Sequence, residues 1–230
     1  MKPSQNHATL GFLTVIFFLF STNRSLAQKG SLDLGVSFLW NTGMVDNSQY
    51  YHDLKSIYGF SSMLKLEYEP INRLRVSYGI GNLTKGSKSE ITFTNEFGGF
   101  TECVGIENRL NYLSNELMIG GRIGNKLCFL PEIGVSFDAL LKQEMTFDAF
   151  ENFEEQATSN KEYYADWNTS LIYALSVRYL LTERVSLGLN FKVSNGLNSI
   201  SAEGIIYPEG KPTNYLMGAA FIWCLKKKEK

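Results

Sequence analysis

The chain has 230 residues, with 22 basic against 23 acidic side chains and 13% aromatics. That near-neutral balance excludes a nucleic-acid footprint, and the three cysteines, an odd number without C-x-x-C spacing, specify neither a disulfide framework nor a zinc site. Mean hydropathy is −0.12, which excludes a bundle of membrane-spanning helices but not a membrane β-barrel, whose apolar residues are diluted by polar neighbours.

The N-terminus reads as a secretory signal, residues 1–27. Lys2 supplies a positive start, "LGFLTVIFFLF" an apolar run shorter than the roughly 20 residues of a spanning helix, and Ser25 and Ala27 the small positions of a cleavage site. Without that segment, which carries Lys2 and Arg24, 20 basic and 23 acidic side chains remain. One domain is expected over residues 28–225, followed by a short basic tail, 226–230.

Eight stretches then alternate apolar and polar with the period of a β-strand. "SLDLGVSFLW" puts Leu32, Leu34, Val36, Phe38 and Trp40 on one face, and "YGFSSMLKLEYE" puts Phe60, Leu64, Leu66 and Tyr68 there. "RLRVSYGIG" aligns Leu74, Val76, Tyr78 and Ile80; "LSNELMIGGRI" aligns Leu113, Leu117, Ile119 and Ile123. "LCFLPEIGVSFDAL" aligns Phe129, Ile133, Val135, Phe137 and Ala139, with Pro131 breaking a ladder position. "WNTSLIYALSVRYL" aligns Trp167, Leu171, Tyr173, Leu175, Val177 and Tyr179. "VSLGLNFKV" aligns Val185, Leu187, Leu189, Phe191 and Val193, and "YLMGAAFIWCL" aligns Tyr215, Met217, Ala219, Phe221 and Trp223.

Links between these strands are long and short in strict alternation. Residues 41–57, 82–109, 141–165 and 195–214 are long; "EPINR", "GNK" and "LTER" are short. Outer-membrane barrels have long outer loops and short periplasmic turns, so eight strands in this order leave both termini periplasmic.

The polar faces carry Asp33, Lys65, Glu67, Arg73, Arg75, Glu116, Arg122, Glu132, Asp138, Arg178 and Lys192. Turned inward in a narrow barrel they must pair, because an unpaired buried charge costs several kcal/mol, roughly 3–5 when a partner is removed. Lys192 has Glu116, Asp138 or Asp33 as candidate partners. Aromatics sit at the ends of the apolar faces: Trp40, Phe60, Trp167 and Tyr215 beside long loops, Tyr68, Phe129, Tyr179 and Trp223 beside short turns or the C-terminus. Two aromatic girdles around an aliphatic band match lipid headgroup levels. The expected fold is all-β, an eight-stranded antiparallel up-and-down transmembrane β-barrel after a cleaved signal peptide.

"FLPEIGVSFDALL" and "LSVRYLLTERVSLGLNFKVSNGL" resemble the fifth strand and the sixth-to-seventh hairpin of small outer-membrane β-barrel proteins of Bacteroidota-type bacteria. PorT-like proteins belong to that group, which is similar in architecture to the OmpA barrel and OmpX. The resemblance implies a barrel and no particular activity. Such barrels often end on an aromatic residue, whereas "FIWCL" is followed here by "KKKEK", which implies an assembly signal centred on Phe221 and Trp223.

Catalysis on such a barrel needs a positioned histidine with a serine or an acid. After the signal one histidine remains, His52 in "YYHDLK", with Asp53, Ser48 and Ser56 nearby but no spacing that fixes their geometry. It reads as a solvated loop residue, and no catalytic residue, metal site or cofactor is expected. "TFDAFENFEEQATSNKEYY" combines Asp148, Glu151, Glu154 and Glu155 with Phe147, Phe150 and Phe153, a calcium site or partner patch in one reading and an exposed loop in the simpler one. "EITFTNEFGGFTECVGIE" alternates around "FGGF" and fits a hairpin continuing the third and fourth strands, with Phe93, Phe97 and Phe100 as a contact surface or packed on one another.

The expected role is structural, adhesive or accessory to envelope assembly or secretion. The closed lumen is filled by charges, and the protein is expected to be a monomer in outer-membrane lipid. Protein partners would meet the long loops, and nucleic acid is not a partner. A secreted lipocalin-like barrel binding an apolar ligand and a loop-borne lipid-modifying enzyme are the alternatives.

Overall fold

The computed structural model describes residues 30–46, 55–71, 73–94, 100–148, 156–159, 161–200 and 211–226. The signal segment, His52, Asp53, Ser48 and, in the acidic-aromatic loop, Phe150, Glu151, Phe153, Glu154 and Glu155 therefore lie outside the described residues. Eight strands form the wall: β1 (Ser31–Asp46), β2 (Lys55–Ile71), β3 (Leu74–Thr94), β4 (Phe100–Gly121), β5 (Leu127–Phe147), β6 (Trp167–Leu180), β7 (Val185–Gly196) and β8 (Lys211–Lys226). Each pairs antiparallel with its sequence neighbours, and β1 pairs with both β2 and β8, so the sheet closes with no free edge. The chain is an all-β, eight-stranded, up-and-down barrel.

Alternation decides what each wall shows. Along β5, Leu127, Phe129, Ile133 and Phe137 are exposed while Cys128, Leu130, Glu132, Ser136 and Asp138 are buried. The same division runs round the ring. Phe38, Trp40, Leu64, Leu117, Leu175, Leu189 and Trp223 face out, and Lys65, Glu67, Glu116, Asn168, Arg178 and Lys192 face in. The apolar faces expected from the sequence point outward.

The strands run 12–22 residues, well beyond the roughly 9–11 a tilted strand needs to cross a bilayer. The surplus lies on the long-loop side. The segment 82–109, expected as a long link with a hairpin around "FGGF", is largely a continuation of β3 and β4, whose ladder holds register from Leu74↔Gly121 to Phe93↔Glu102. Its hydrophobic period fades because the inward side chains change from apolar to polar there, Lys85 following Leu83.

The short turns close by specific means. Arg73, expected on the wet face of the third strand, instead occupies the β2–β3 turn with φ 72° and is exposed. Its N–H donates to Glu69 Oε1 at 3.3 Å and its carbonyl accepts from Arg122 N at 2.9 Å. In the β4–β5 turn Gly124 has φ 98°, and a Cβ there would lie 2.2 Å from the Leu127 carbonyl oxygen, so only glycine fits. Pro131 is tolerated for a related reason. Its carbonyl faces Gly120, at the end of the main β4 ladder, and the ladder resumes only at Ile123↔Phe129. The missing N–H therefore falls at a break in the pairing, where no acceptor waits.

Candidate functional site

The interior has three levels. At the short-turn end, Glu67 is the hub: Arg178 donates to both its carboxylate oxygens at 2.6 and 2.5 Å, and Arg75 pairs with the same group. Lys65 lies 3.5 Å from Glu67 and bonds Glu132 at 2.6 Å, while Ser77 Oγ donates to the other Glu132 oxygen at 3.0 Å. One carboxylate thus holds two guanidinium groups from opposite sides of the ring, and the network ties β2, β3, β5 and β6 together. Planar forks suit this bidentate work better than lysine would.

At mid-height Lys192 Nζ bonds Glu116 at 2.6 Å and touches Met63 Sδ at 3.2 Å. Of the three partners open to Lys192, the fold selects Glu116. Above it Lys85, wholly buried, bonds Asp138 at 2.7 Å and the Asn168 amide oxygen at 2.7 Å, with the Tyr112 ring 5.0 Å away. Ser114 and Ser136 donate to the two Asp138 oxygens at 2.6 and 3.2 Å. The small residues on the wet faces make room for these long side chains in a narrow lumen. Lys85 is an addition to the expected lumen charges, because its segment reads as loop.

The top level holds an apolar cluster, with Asn41, Gln143 and Asn214 buried on the same or the next rung. Leu39, Leu83, Leu110, Tyr112, Leu140 and Leu216 converge from the wall, and Ile200 enters from the β7–β8 connection to complete the cluster. That connection and the one before β6 are pinned across the mouth: Ala165 N donates to Ile200 O at 2.8 Å, and Asn108 Nδ2 to the Tyr164 hydroxyl at 2.6 Å. Asn198 Oδ1 accepts from Thr169 N at 2.7 Å. This cluster lies in the lumen at the long-loop end.

Below the ion network the barrel opens into a vestibule of about 590 Å³. Asp33, Arg73 and Arg122 line this mouth together with Arg75 and Arg178, so three of the expected lumen charges stand at the rim rather than within the packed interior. Arg122 lies 3.7 Å from Glu69, and Cys128 and Cys224 also border the space. The other eight expected charges are all buried. With Lys85 added, five buried cations face four buried anions, and Asp33 stands half-buried at the rim beside them.

The outer wall is the complement. Trp40, Phe60, Trp167 and Tyr215 are exposed near the long-loop end, and Phe129, Tyr179 and Trp223 near the turns. Tyr68 is half-buried at that end, against Gly30. Phe38 stacks near Phe60 at 6.1 Å, and Lys126 sits 5.4 Å from the Tyr179 ring, a cation over an amphipathic ring of the kind that marks a membrane–water boundary. Tyr173 and Phe191 interrupt the aliphatic band between the girdles, and both are exposed. An apolar belt outside with ion pairs inside inverts a soluble barrel: the solvent it fits is lipid. A lipocalin-like reading needs an apolar, accessible lumen, and these side chains fill it with charge.

Among the described residues no group of histidine, cysteine and acidic side chains is arranged to hold a metal, and of the serine, histidine and acid considered in the first loop only Ser56 is described. No protein-family model and no curated protein matches the chain. Its structure is similar to those of a major outer membrane protein from Thermus thermophilus (14% identity, TM-score 0.44, covering 81% of this chain and 99% of that one) and of Neisserial surface protein A (11%, TM-score 0.43, 83% and 97%). It is also similar to Ail, the attachment invasion locus protein of Yersinia pestis (14%, TM-score 0.42, 84% and 99%). The barrel itself rests on the chain's own closed ladder and inverted polarity, independent of those likenesses.

Proposed function

We propose that this protein is an integral outer-membrane β-barrel with both termini periplasmic, a non-conducting lumen and a structural, adhesive or assembly-accessory role carried by its outer extensions. The observation that supports it most is the combination of an exposed apolar belt with a lumen filled first by ion pairs and then by an apolar plug. A channel needs continuous water, and five buried cations with four buried anions, together with the cluster around Ile200 and Leu110, argue against a path for it. The short turns and both ends of the described chain share one mouth, which in an outer membrane is the periplasmic one. The PorT-like resemblance belongs to this reading and points toward secretion or envelope assembly as the process.

No catalytic role is assigned. The hairpin formed by the upper parts of β3 and β4 continues beyond the belt and offers the natural surface for an envelope or extracellular protein. Fractionation and conductance test the proposal together. The mature protein should stay with outer-membrane vesicles through an alkaline wash and give no steady current in a planar bilayer. Recovery in the soluble periplasm would end the membrane reading, and a stable open current would end the closed-lumen reading.

A further inference from the structure

One sector of the lumen wall holds buried polar atoms that no other side chain or backbone group satisfies. Asn41 Oδ1, Ser61 Oγ, Ser194 Oγ and both amide atoms of Asn214 have no hydrogen-bond partner among the described residues. They come from four successive strands of the ring, β7, β8, β1 and β2. Ser194 pairs directly with Asn214, Asn214 with Gly43 and Asn41 with Gly59, while Ser61 follows Gly59 inward, opposite Leu39. The two amide oxygens lean the same way round the ring. Asn214 lies over Gly43 and Asn41 over Gly59, where a Cβ would overlap them. A buried polar atom without a partner forfeits its hydration for no return, and native interiors leave few of them.

The band connects with the wet end of the barrel. Nearer the turns on β7 stands Asn190, whose Oδ1 is likewise buried without a partner, and one inward step further Arg178 on β6 keeps an unpartnered Nε. Arg178 lines the vestibule. The inward residues of this lower stretch are small: Gly35, Ser37, Gly188 and Ala220. A Cβ at Gly35 would meet nothing closer than 3.4 Å, so the wall leaves room there for one more atom. Chemistry decides what fills the band. Asn214 Nδ2 needs an acceptor, Asn41 Oδ1 and Asn214 Oδ1 need donors, and the serine hydroxyls take either. A bound cation would serve only the oxygens and would add to an interior with five buried cations against four buried anions. An anion would serve only the NH2 and hydroxyl groups. Water both donates and accepts, and so suits every one of these atoms.

We propose that a string of buried water molecules runs along this sector, entering from the vestibule past Arg178, Gly35 and Asn190 and ending at Ser194, Asn214, Asn41 and Ser61. It stops against the cluster of Leu83, Leu110, Leu140 and Ile200, so it opens at one end only and carries no current. The proposal needs only the closed barrel, whatever solvent surrounds it, and stands or falls separately from the membrane reading.

The test counts internal waters in the full mature protein, folded in detergent micelles, by oxygen-17 relaxation dispersion, which registers water held inside a protein and not its surface layer. Asn214→Leu with Ser194→Ala removes the polar atoms of both residues while keeping the heavy-atom count of the amide. It should lose about one to two internal waters, since a buried water typically makes about three hydrogen bonds, and its urea midpoint should fall. In a dry band the same change would delete an unsatisfied amide and the midpoint would rise. Should the double variant fail to fold, Ser194→Ala alone, which removes one hydroxyl, should still lower the dispersion amplitude. Gly35→Ala fills the space beside the entry and should lengthen the residence of the upper waters, moving the dispersion to lower frequency. An amplitude unmoved by the Asn214 and Ser194 changes, or a midpoint that rises, overturns the proposal. A dispersion unmoved by Gly35→Ala overturns the route from the vestibule. A wild-type midpoint that drops when sodium is replaced by choline would mean that the band holds a cation, and overturns the assignment to water.

Discussion

The lower and upper halves of the lumen fill the same narrow cylinder with opposite chemistry. Near the turns Glu67, Arg75, Arg178, Lys65 and Glu132 form one hydrogen-bonded network, and near the loops Leu39, Leu83, Leu110, Leu140 and Ile200 pack without charge. The difference follows from what each half can reach. The lower half borders the vestibule at the turn end, and its arginines and carboxylates, themselves buried, bind across the barrel as cross-links. The upper half receives a loop from outside the ring, and an incoming Ile200 is matched by apolar side chains. Specific charge pairing fixes register where the wall alone must close; packing seals the end where a connection can fold in.

The contrast can be broken from either side, and the lower half should break hardest. Glu67→Ala strands Arg75 and Arg178 around an empty anion position and should cost about 3–5 kcal/mol, read as a lower urea midpoint of the detergent-folded barrel. An unchanged midpoint would mean the network is ornamental. Leu110→Ala opens a cavity in the plug and should cost about 3 kcal/mol by the same measurement. It should also admit small ions, so a variant that is destabilised yet stays silent in a bilayer would show that the ion layers alone block conduction.

Leu189→Asp places a charge on the exposed lipid-facing wall and should cost about 2 kcal/mol of membrane stability, visible as a lower yield of the heat-resistant folded band on a gel. If that yield is unaffected, this wall does not face lipid. Lys85→Met with Asp138→Leu extends the plug downward by one level. Replacing a buried pair with apolar side chains of similar size should leave stability within about 1 kcal/mol, while Asp138→Leu alone is clearly destabilising.

The smallest effect is expected at the exposed Lys55–Glu90 pair. The hydrogen bond and charge of Lys55 hold the Glu90 carboxyl below the ordinary glutamate range. A depressed folded-state value stabilises above the unfolded value and is lost as pH falls through the folded one, so this pair persists at neutral pH and fails only in acid below that range. Titration of Glu90 by NMR at or above the ordinary value would remove the pair from the outer surface.

Much of this is legible in residue order. The alternation of Val185 to Val193, or of Leu32 to Trp40, states both strand and outward face, because a period of two cannot be satisfied otherwise when one side is lipid. Eight of the expected lumen charges are buried, since charge on a wet face of a closed barrel has nowhere else to go. Lys85 is not legible in the same way, because residues 82–88 are mostly polar on both faces, the pattern of a strand leaving the membrane as much as of a loop. Arg73 departs from its expected face at a turn, where alternation ends and a left-handed residue reverses the chain.

The sequence by itself determined the number of strands, their order, which face meets lipid and the near-neutrality of the other. Those properties are local, set by side-chain period and loop length. The tertiary structure decided that Lys192 meets Glu116, that Glu67 holds two arginines and that Ile200 packs among the leucines of the upper lumen. Each of these joins residues far apart in the chain across a closed ring, and only the register of the whole ladder brings them within bonding distance.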